Sequence, residues 1–116
     1  MPHINVYNPM KLTKEEEQKL VSKLGELIAI IPNKDEKGLM VSVNSENHLY
    51  HGGEAQEKAF YLEIKIFKNC PRESKKEFAS ETIKMLEEEF CVPKAHIYIN
   101  FFEVFDWAAG GRLMDI

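Results

Sequence analysis

Ala59-Phe60-Tyr61-Leu62-Glu63-Ile64-Lys65-Ile66-Phe67 alternates without a break: Phe60, Leu62, Ile64 and Ile66 fall on one face, Tyr61, Glu63 and Lys65 on the other. A period of two in β-branched and aromatic residues predicts a strand with one face in a core. Three more segments have the same signature. Residues 2–7 open the chain as Pro2-His3-Ile4-Asn5-Val6-Tyr7. Residues 39–43 put Leu39, Val41 and Val43 on one face. Residues 96–102 set Ile97, Ile99 and Phe101 against Tyr98, Asn100 and Phe102.

Between these strands the period changes to that of a helix. Thr13 and Glu16 have capping-box spacing, and Leu20, Val21, Leu24, Leu27, Ile28 and Ile31 follow as an apolar stripe that Pro32 ends. A second helix starts near Pro71, a residue suited to the first helical turn. Phe78, Ala79, Thr82, Met85, Leu86 and Phe90 form its stripe, and Glu87 to Glu89 with Lys75, Lys76 and Lys84 form its wet face. Each half of the chain therefore reads strand, helix, proline-containing turn, strand. Ile31-Pro32-Asn33-Lys34 closes the first unit and Cys91-Val92-Pro93-Lys94 the second. A duplicated βαβ unit has right-handed crossovers and two parallel strands per half. The expected fold is α+β: one domain over residues 1–116, with a four-stranded mixed sheet and both helices on one face. The uncovered face would carry Tyr7, Tyr61, Tyr98 and Phe102. A small domain seldom leaves such a surface wet, so closed oligomerisation is expected.

Composition narrows the function classes. The 116 residues are 44% hydrophobic and 29% charged, with a net charge of −4 and a pI near 5.6. That balance argues against nucleic acid as a partner, because phosphate binding needs a basic face, and it gives no support for anionic membranes. No apolar run reaches the length of a membrane span. A basic segment followed by an apolar stretch is missing at the N-terminus, so a cytoplasmic protein is expected, with export lacking a signal peptide as the alternative. Cys70 and Cys91 do not make a disulfide framework and are expected as reduced thiols.

Six places bear on chemistry. Pro2 directly follows Met1, and trimming of Met1 would leave a terminal secondary amine. Removed from water, such an amine loses preference for its charged form and becomes a neutral base near physiological pH. Lys34 is either a solvated charge or an anion clamp. Tyr98 and Asn100, two apart on a strand, point the same way and form either a pocket wall or an interface. Ile66 is either a core residue or, at a strand end, a donor of a free backbone N–H. In His48-Leu49-Tyr50-His51-Gly52-Gly53 no cysteine or carboxylate at a fitting distance completes a zinc set, so no metal is expected, and the glycines suit a tight reversal. Gly110-Gly111 suits a hairpin, with Trp107 as a pocket wall or an interface anchor.

Taken together, Met1-Pro2, the Lys34 turn followed by Leu39-Met40-Val41, Gly52-Gly53, the strand ending at Ile66, and Ile97-Tyr98-Ile99-Asn100-Phe101-Phe102 resemble the tautomerase superfamily, within it the macrophage migration inhibitory factor (MIF) family. The resemblance implies a homotrimer with sheets inside, helices outside and active sites between subunits. It implies a cofactor-independent phenylpyruvate tautomerase acting on α-keto acids, with a dopachrome isomerase-type activity beside it. Pro2 would be the catalytic base, Lys34 and the Ile66 N–H would bind substrate oxygens, and Tyr98 and Asn100 would line the far wall from a neighbouring subunit. The alternative it implies is a cytokine-like protein that binds a receptor and keeps a vestigial pocket. Phe67 stands where many family members have glycine, and the tail from Gly110 to Ile116 departs from the family pattern, as does the absence of a Cys-x-x-Cys pair.

Overall fold

The computed structural model describes residues 1–115. Its elements in order are β1 (Pro2–Tyr7), α1 (Lys14–Leu27), β2 (Met40–Asn44), β3 (Tyr50–His51), β4 (Glu54–Ala55), β5 (Phe60–Phe67), α2 (Arg72–Phe90), β6 (Ile97–Val104), β7 (Ala108–Ala109) and β8 (Arg112–Leu113). Four strands make one sheet in the order β2-β1-β5-β6. β1 and β2 are parallel, β5 and β6 are parallel, and β1 and β5 run antiparallel through the middle. The two parallel pairs are the two expected βαβ units.

Local chemistry sets the helix ends. Glu16 N–H donates to Thr13 Oγ1 at 3.1 Å and Thr13 N–H donates to Glu16 Oε1 at 2.8 Å, so each satisfies a free donor of the first turn. α1 tightens into a 3-10 turn over Ile28–Ile30 before Pro32. α2 ends where Cys91 turns left-handed, at φ 56°. Leu20, Leu24 and Ile28 of the first unit and Phe78 and Leu86 of α2 are all fully buried. They join Ile4, Val6, Leu62, Ile64 and Ile66 in a single cluster, which places both helices over one face of the sheet. Truncating one of these to alanine costs about 2–5 kcal/mol.

Val21, expected in the buried stripe, is 36% exposed. It borders a groove with Glu17, Glu36, Val41 and Val43, where α1 overhangs β2. β2 is an edge strand, so the sheet ends before the flank of the helix does.

The opposite face of the sheet is aromatic and polar together. Tyr7 and Tyr61 stack at 5.7 Å. Asn5 Nδ2 donates to Tyr7 OH and to Glu63 Oε1, Tyr61 OH donates to Glu63 Oε2, and Asn100 Nδ2 donates to Tyr61 OH. Tyr98 is 61% exposed and Phe102 40%. Both outer strands, β2 and β6, keep one edge without a strand partner among the described residues. Two small hairpins complete the chain. β3–β4 turns through Gly52 (φ 62°) and Gly53 (φ 81°), and β7–β8 through Gly110 (φ 63°) and Gly111 (φ 86°). Two successive residues at positive φ define the hairpin turn that glycine favours. No helix is long and apolar enough to cross a membrane among the described residues.

Candidate active site

β1 begins at a corner where three segments meet. Pro2 is buried and faces Ile66 across the antiparallel β1–β5 pair. The loop after α1 folds back over it: Asn33 adopts φ 63°, and Lys34 N–H donates to Ile31 O. A 3-10 turn, Glu36–Gly38, follows, with Asp35 Oδ1 accepting from Gly38 N–H at 3.2 Å. A side chain on Gly38 would place its Cβ 4.0 Å from Met1 N and Pro2 Cδ, so this turn lies against the start of the chain. Pro2, Lys34 and Ile66 are thereby brought to one corner.

The electrostatics of the corner favour a neutral amine. The terminal amine, here on Met1, is held below its ordinary value of 8.0, first by burial and second by the nearby Lys34 ammonium; Asp35 pulls the other way. Met1 occupies the corner itself, so the Pro2 nitrogen is an amide nitrogen in this chain.

Strand pairing fixes which way the backbone donors near the corner point. Successive N–H groups of a strand point to opposite sides. Phe67 N–H donates to Met1 O at 3.3 Å on the β1 side, and Lys68 N–H donates to Val104 O at 2.9 Å on the β6 side. That alternation turns the Ile66 N–H toward β6, inside the paired stretch where Ile66 faces Glu103. The Ile66 side chain is fully buried in the core. Phe67 N–H is the β5 donor that faces the Met1 carbonyl. The Phe67 side chain is 7% exposed, with Lys68 Nζ 5.3 Å from its ring.

Tyr98 and Asn100 do not reach this corner within one chain. Tyr98 pairs with Tyr61 and Asn100 with Glu63, whereas Pro2 pairs with Ile66. Five residues of strand separate Tyr61 from Ile66, a distance of about 17 Å. The two line a separate cleft of about 430 Å³ between the β3–β4 hairpin and β6, together with His51, Phe60, Tyr61 and His96. His51 Nδ1 lies 2.9 Å from His96 Nδ1, and Tyr98 OH lies 3.2 Å from His51 Nε2. The sequence shows His48 and His51 as neighbours; the fold partners His51 with His96. No group of three or more histidine, cysteine or acidic side chains that could hold a metal comes together among the described residues. Cys70 and Cys91 are both free thiols. Trp107 is half-buried at the base of the C-terminal hairpin, where its carbonyl accepts from Met114 N–H at 2.8 Å.

The duplicated βαβ sheet with Pro2, the second residue, at its corner fits the tautomerase superfamily class. The sequence family described as macrophage migration inhibitory factor (MIF) matches residues 1–112, and the chain belongs to that family. Among solved structures, MIF2 of Leishmania major superposes with a TM-score of 0.89 at 15% identity, covering 98% of this chain and 97% of that one. A MIF homologue of Prochlorococcus marinus superposes with a TM-score of 0.76 at 25% identity, covering 96% and 97%. An asymmetric trimer described as a fused wild-type 4-OT superposes with a TM-score of 0.85 at 10% identity, covering 96% and 94%. Curated protein sequences contain no match.

Proposed function

We propose that this chain is a homotrimeric tautomerase which, with Met1 removed, uses the Pro2 nitrogen as the base for keto–enol tautomerisation of phenylpyruvate-like α-keto acids. The observation that carries the reading is the corner itself: a terminal amine held below its ordinary pKa by burial and by Lys34. Removal of Met1 moves the amine one residue deeper, onto the buried Pro2, where desolvation acts more strongly. The neutral nitrogen takes a proton from the carbon beside the substrate's carbonyl. The bonding pair moves into the new carbon–carbon double bond, and the carbonyl pair moves onto oxygen. Pro2 then returns the proton to that oxygen, giving the enol. The reaction moves a proton and nothing else, so its balance needs no cofactor.

Lys34 supplies positive charge beside the developing enolate or the substrate carboxylate, where a preorganised charge lowers the barrier. Phe67 N–H, released from Met1 O, is the backbone donor on the β1 side; Ile66 serves by holding Pro2 against β5 through the strand pairing. Tyr98 and Asn100 complete a neighbouring protomer's pocket, a reading supported by their separation from Pro2 in their own chain. The unpaired edges of β2 and β6 support edge-to-edge assembly into a ring, as does the exposed aromatic face. Exposed Phe105 (44%) and Leu113 (59%) on the C-terminal arm fit a contact with the next protomer.

The test is phenylpyruvate tautomerisation by the processed protein and by Pro2→Ala. A positioned general base contributes about 10²- to 10⁴-fold, so Pro2→Ala should lose about two orders of magnitude or more in kcat/KM. An active wild type unaffected by the substitution rules Pro2 out as the base.

A further inference from the structure

We infer that His51 and His96 are positioning residues which set whether the Tyr98 hydroxyl donates or accepts a hydrogen bond in the pocket. Three groups stand in series: His96 Nδ1, 2.9 Å from His51 Nδ1, and on the same ring His51 Nε2, 3.2 Å from Tyr98 OH. Their rings meet edge to face, at 5.1 Å for the histidine pair and 5.3 Å for His51 and Tyr98. Both histidines are half-buried, whereas Tyr98 projects outward.

The consequence follows from proton counting. A neutral imidazole carries one N–H, and the short Nδ1–Nδ1 contact needs a hydrogen on one ring only. If His51 holds it, His51 Nε2 is bare and accepts the Tyr98 hydroxyl proton. Tyr98 can then only accept from a ligand. If His96 holds it, His51 Nδ1 is bare and its Nε2–H donates to the Tyr98 oxygen. The Tyr98 proton is then free to be donated to a ligand oxygen. When the pair takes up one more proton, on either ring, His51 Nε2–H is present in both arrangements. The protonated pair therefore always leaves Tyr98 a donor, the polarity suited to a carboxylate or enolate oxygen.

Other titratable groups surround the pair. Tyr50 is on the hairpin, and Glu54 lies opposite His51 in the β3–β4 pairing. Lys94 lies in the turn before β6. On β5 stands Tyr61, with Glu63 accepting its hydroxyl proton. Tyr61 in turn accepts from Asn100 Nδ2, so the second wall residue is fixed by a separate chain of bonds and does not share the switch.

For its catalytic consequence the inference rests on the reading of Tyr98 as part of a neighbour's pocket; for its hydrogen-bond geometry it does not. The closing experiment uses the second property. In the processed protein, with 15N-histidine and 13Cζ-tyrosine labels, ring nitrogen shifts and the Tyr98 Cζ shift are followed against pH. The expected result is a joint titration of His51 and His96, with one Nδ1 hydrogen shared, and a Tyr98 Cζ shift that moves with it. In His96→Phe the Tyr98 response should no longer follow a shared transition. In kcat/KM for phenylpyruvate, His51→Phe should cost about two- to tenfold on the acid side, the range of one neutral hydrogen bond, and little on the alkaline side. A Tyr98 shift indifferent to histidine protonation overturns the inference in wild type alone, without any variant and without touching the role of Pro2. A joint titration in a protein inactive on phenylpyruvate would uphold the switch and defeat the proposed reaction.

Discussion

Replacing Lys34 with methionine keeps an unbranched apolar stem and deletes the charge, so it isolates what the ammonium does. Two effects are expected and they separate on a pH profile. The first is on the plateau of kcat/KM, where Pro2 is neutral in both proteins. A hydrogen bond to a charged group contributes about 1.5–3 kcal/mol, which corresponds to about ten- to 150-fold in rate. The second is on the acid limb. For the amine on Met1, Lys34 is the second cause of the lowered pKa and Asp35 raises it; the same two charges flank a Pro2 amine in the proposed site. Without Lys34 only burial, the larger cause, is left to oppose the Asp35 contribution. The amine pKa rises, less of it is neutral at a given pH, and the acid limb moves to higher pH. The assay is phenylpyruvate tautomerisation across pH 5 to 9 by the processed protein (an assay range chosen to bracket the ordinary value of 8.0). Lys37→Met, an exposed neighbour in the same loop, serves as the control and should leave both features in place. Lys34→Arg should restore the limb more fully than the plateau, because a planar fork does not reproduce the ammonium's point charge. A Lys34→Met plateau within twofold of wild type, with a limb that stays or moves to lower pH, would refute this account of the corner.

Two predictions concern stability and should be measured at matched protomer concentration, because the proposed assembly would contribute to it. Thr82 is fully buried in α2 and its Oγ1 has no hydrogen-bond partner among the described residues, so Thr82→Val should raise stability by about 1 kcal/mol in urea unfolding; a loss of that size would contradict it. His3 sits on the sheet face with Nε2 2.8 Å from Ser42 Oγ, and its pKa is lowered from 6.5 by burial first and by Lys65 second, with Glu63 opposing. The folded state thus binds fewer protons at His3 than the unfolded chain does, so this contribution is intact above pH 6.5 and is lost as pH falls from there toward the folded pKa. His3→Gln should flatten that part of the urea midpoint's pH dependence, and an unchanged slope would assign it to other groups.

The fold was legible because local signals agreed with one another. The alternation of residues 59–67, the Thr13–Glu16 box and the two proline-closed helices each point to the same βαβ pair, and the two parallel strand pairs follow from those units. What was illegible depended on neighbours across the sheet. Val21 matches the apolar stripe of α1, yet it is exposed, because nothing in the helix's own periodicity says that the strand beneath it is an edge. Pro2 as a base and Lys34 as one of two readings, a solvated charge or an anion clamp, could be named from residue type; their joint role rests on the family resemblance. Which of the Ile66 and Phe67 N–H groups faces β1 could not be named, because register alone decides that. His51 and His96 lie on separate elements far apart in the chain. The position of His96 one residue before β6 was the available signal, but its meaning depends on where the Gly52-Gly53 hairpin folds down. Tyr98 and Asn100 share a face, as the strand period requires, and their distance from Pro2 in one chain is the reason that the proposed pocket draws them from a second copy.

The most direct test of the central claim compares two forms of the same chain. One is prepared with methionine removal blocked and the other fully processed, each verified by intact mass, and both are assayed on phenylpyruvate at one pH near neutrality. The account predicts that the chain beginning at Pro2 turns over, and that the chain retaining Met1 falls by about two orders of magnitude or more, as the loss of a general base requires. Equal turnover by the two forms would contradict it, since an amide nitrogen at Pro2 has no basic lone pair with which to accept the proton.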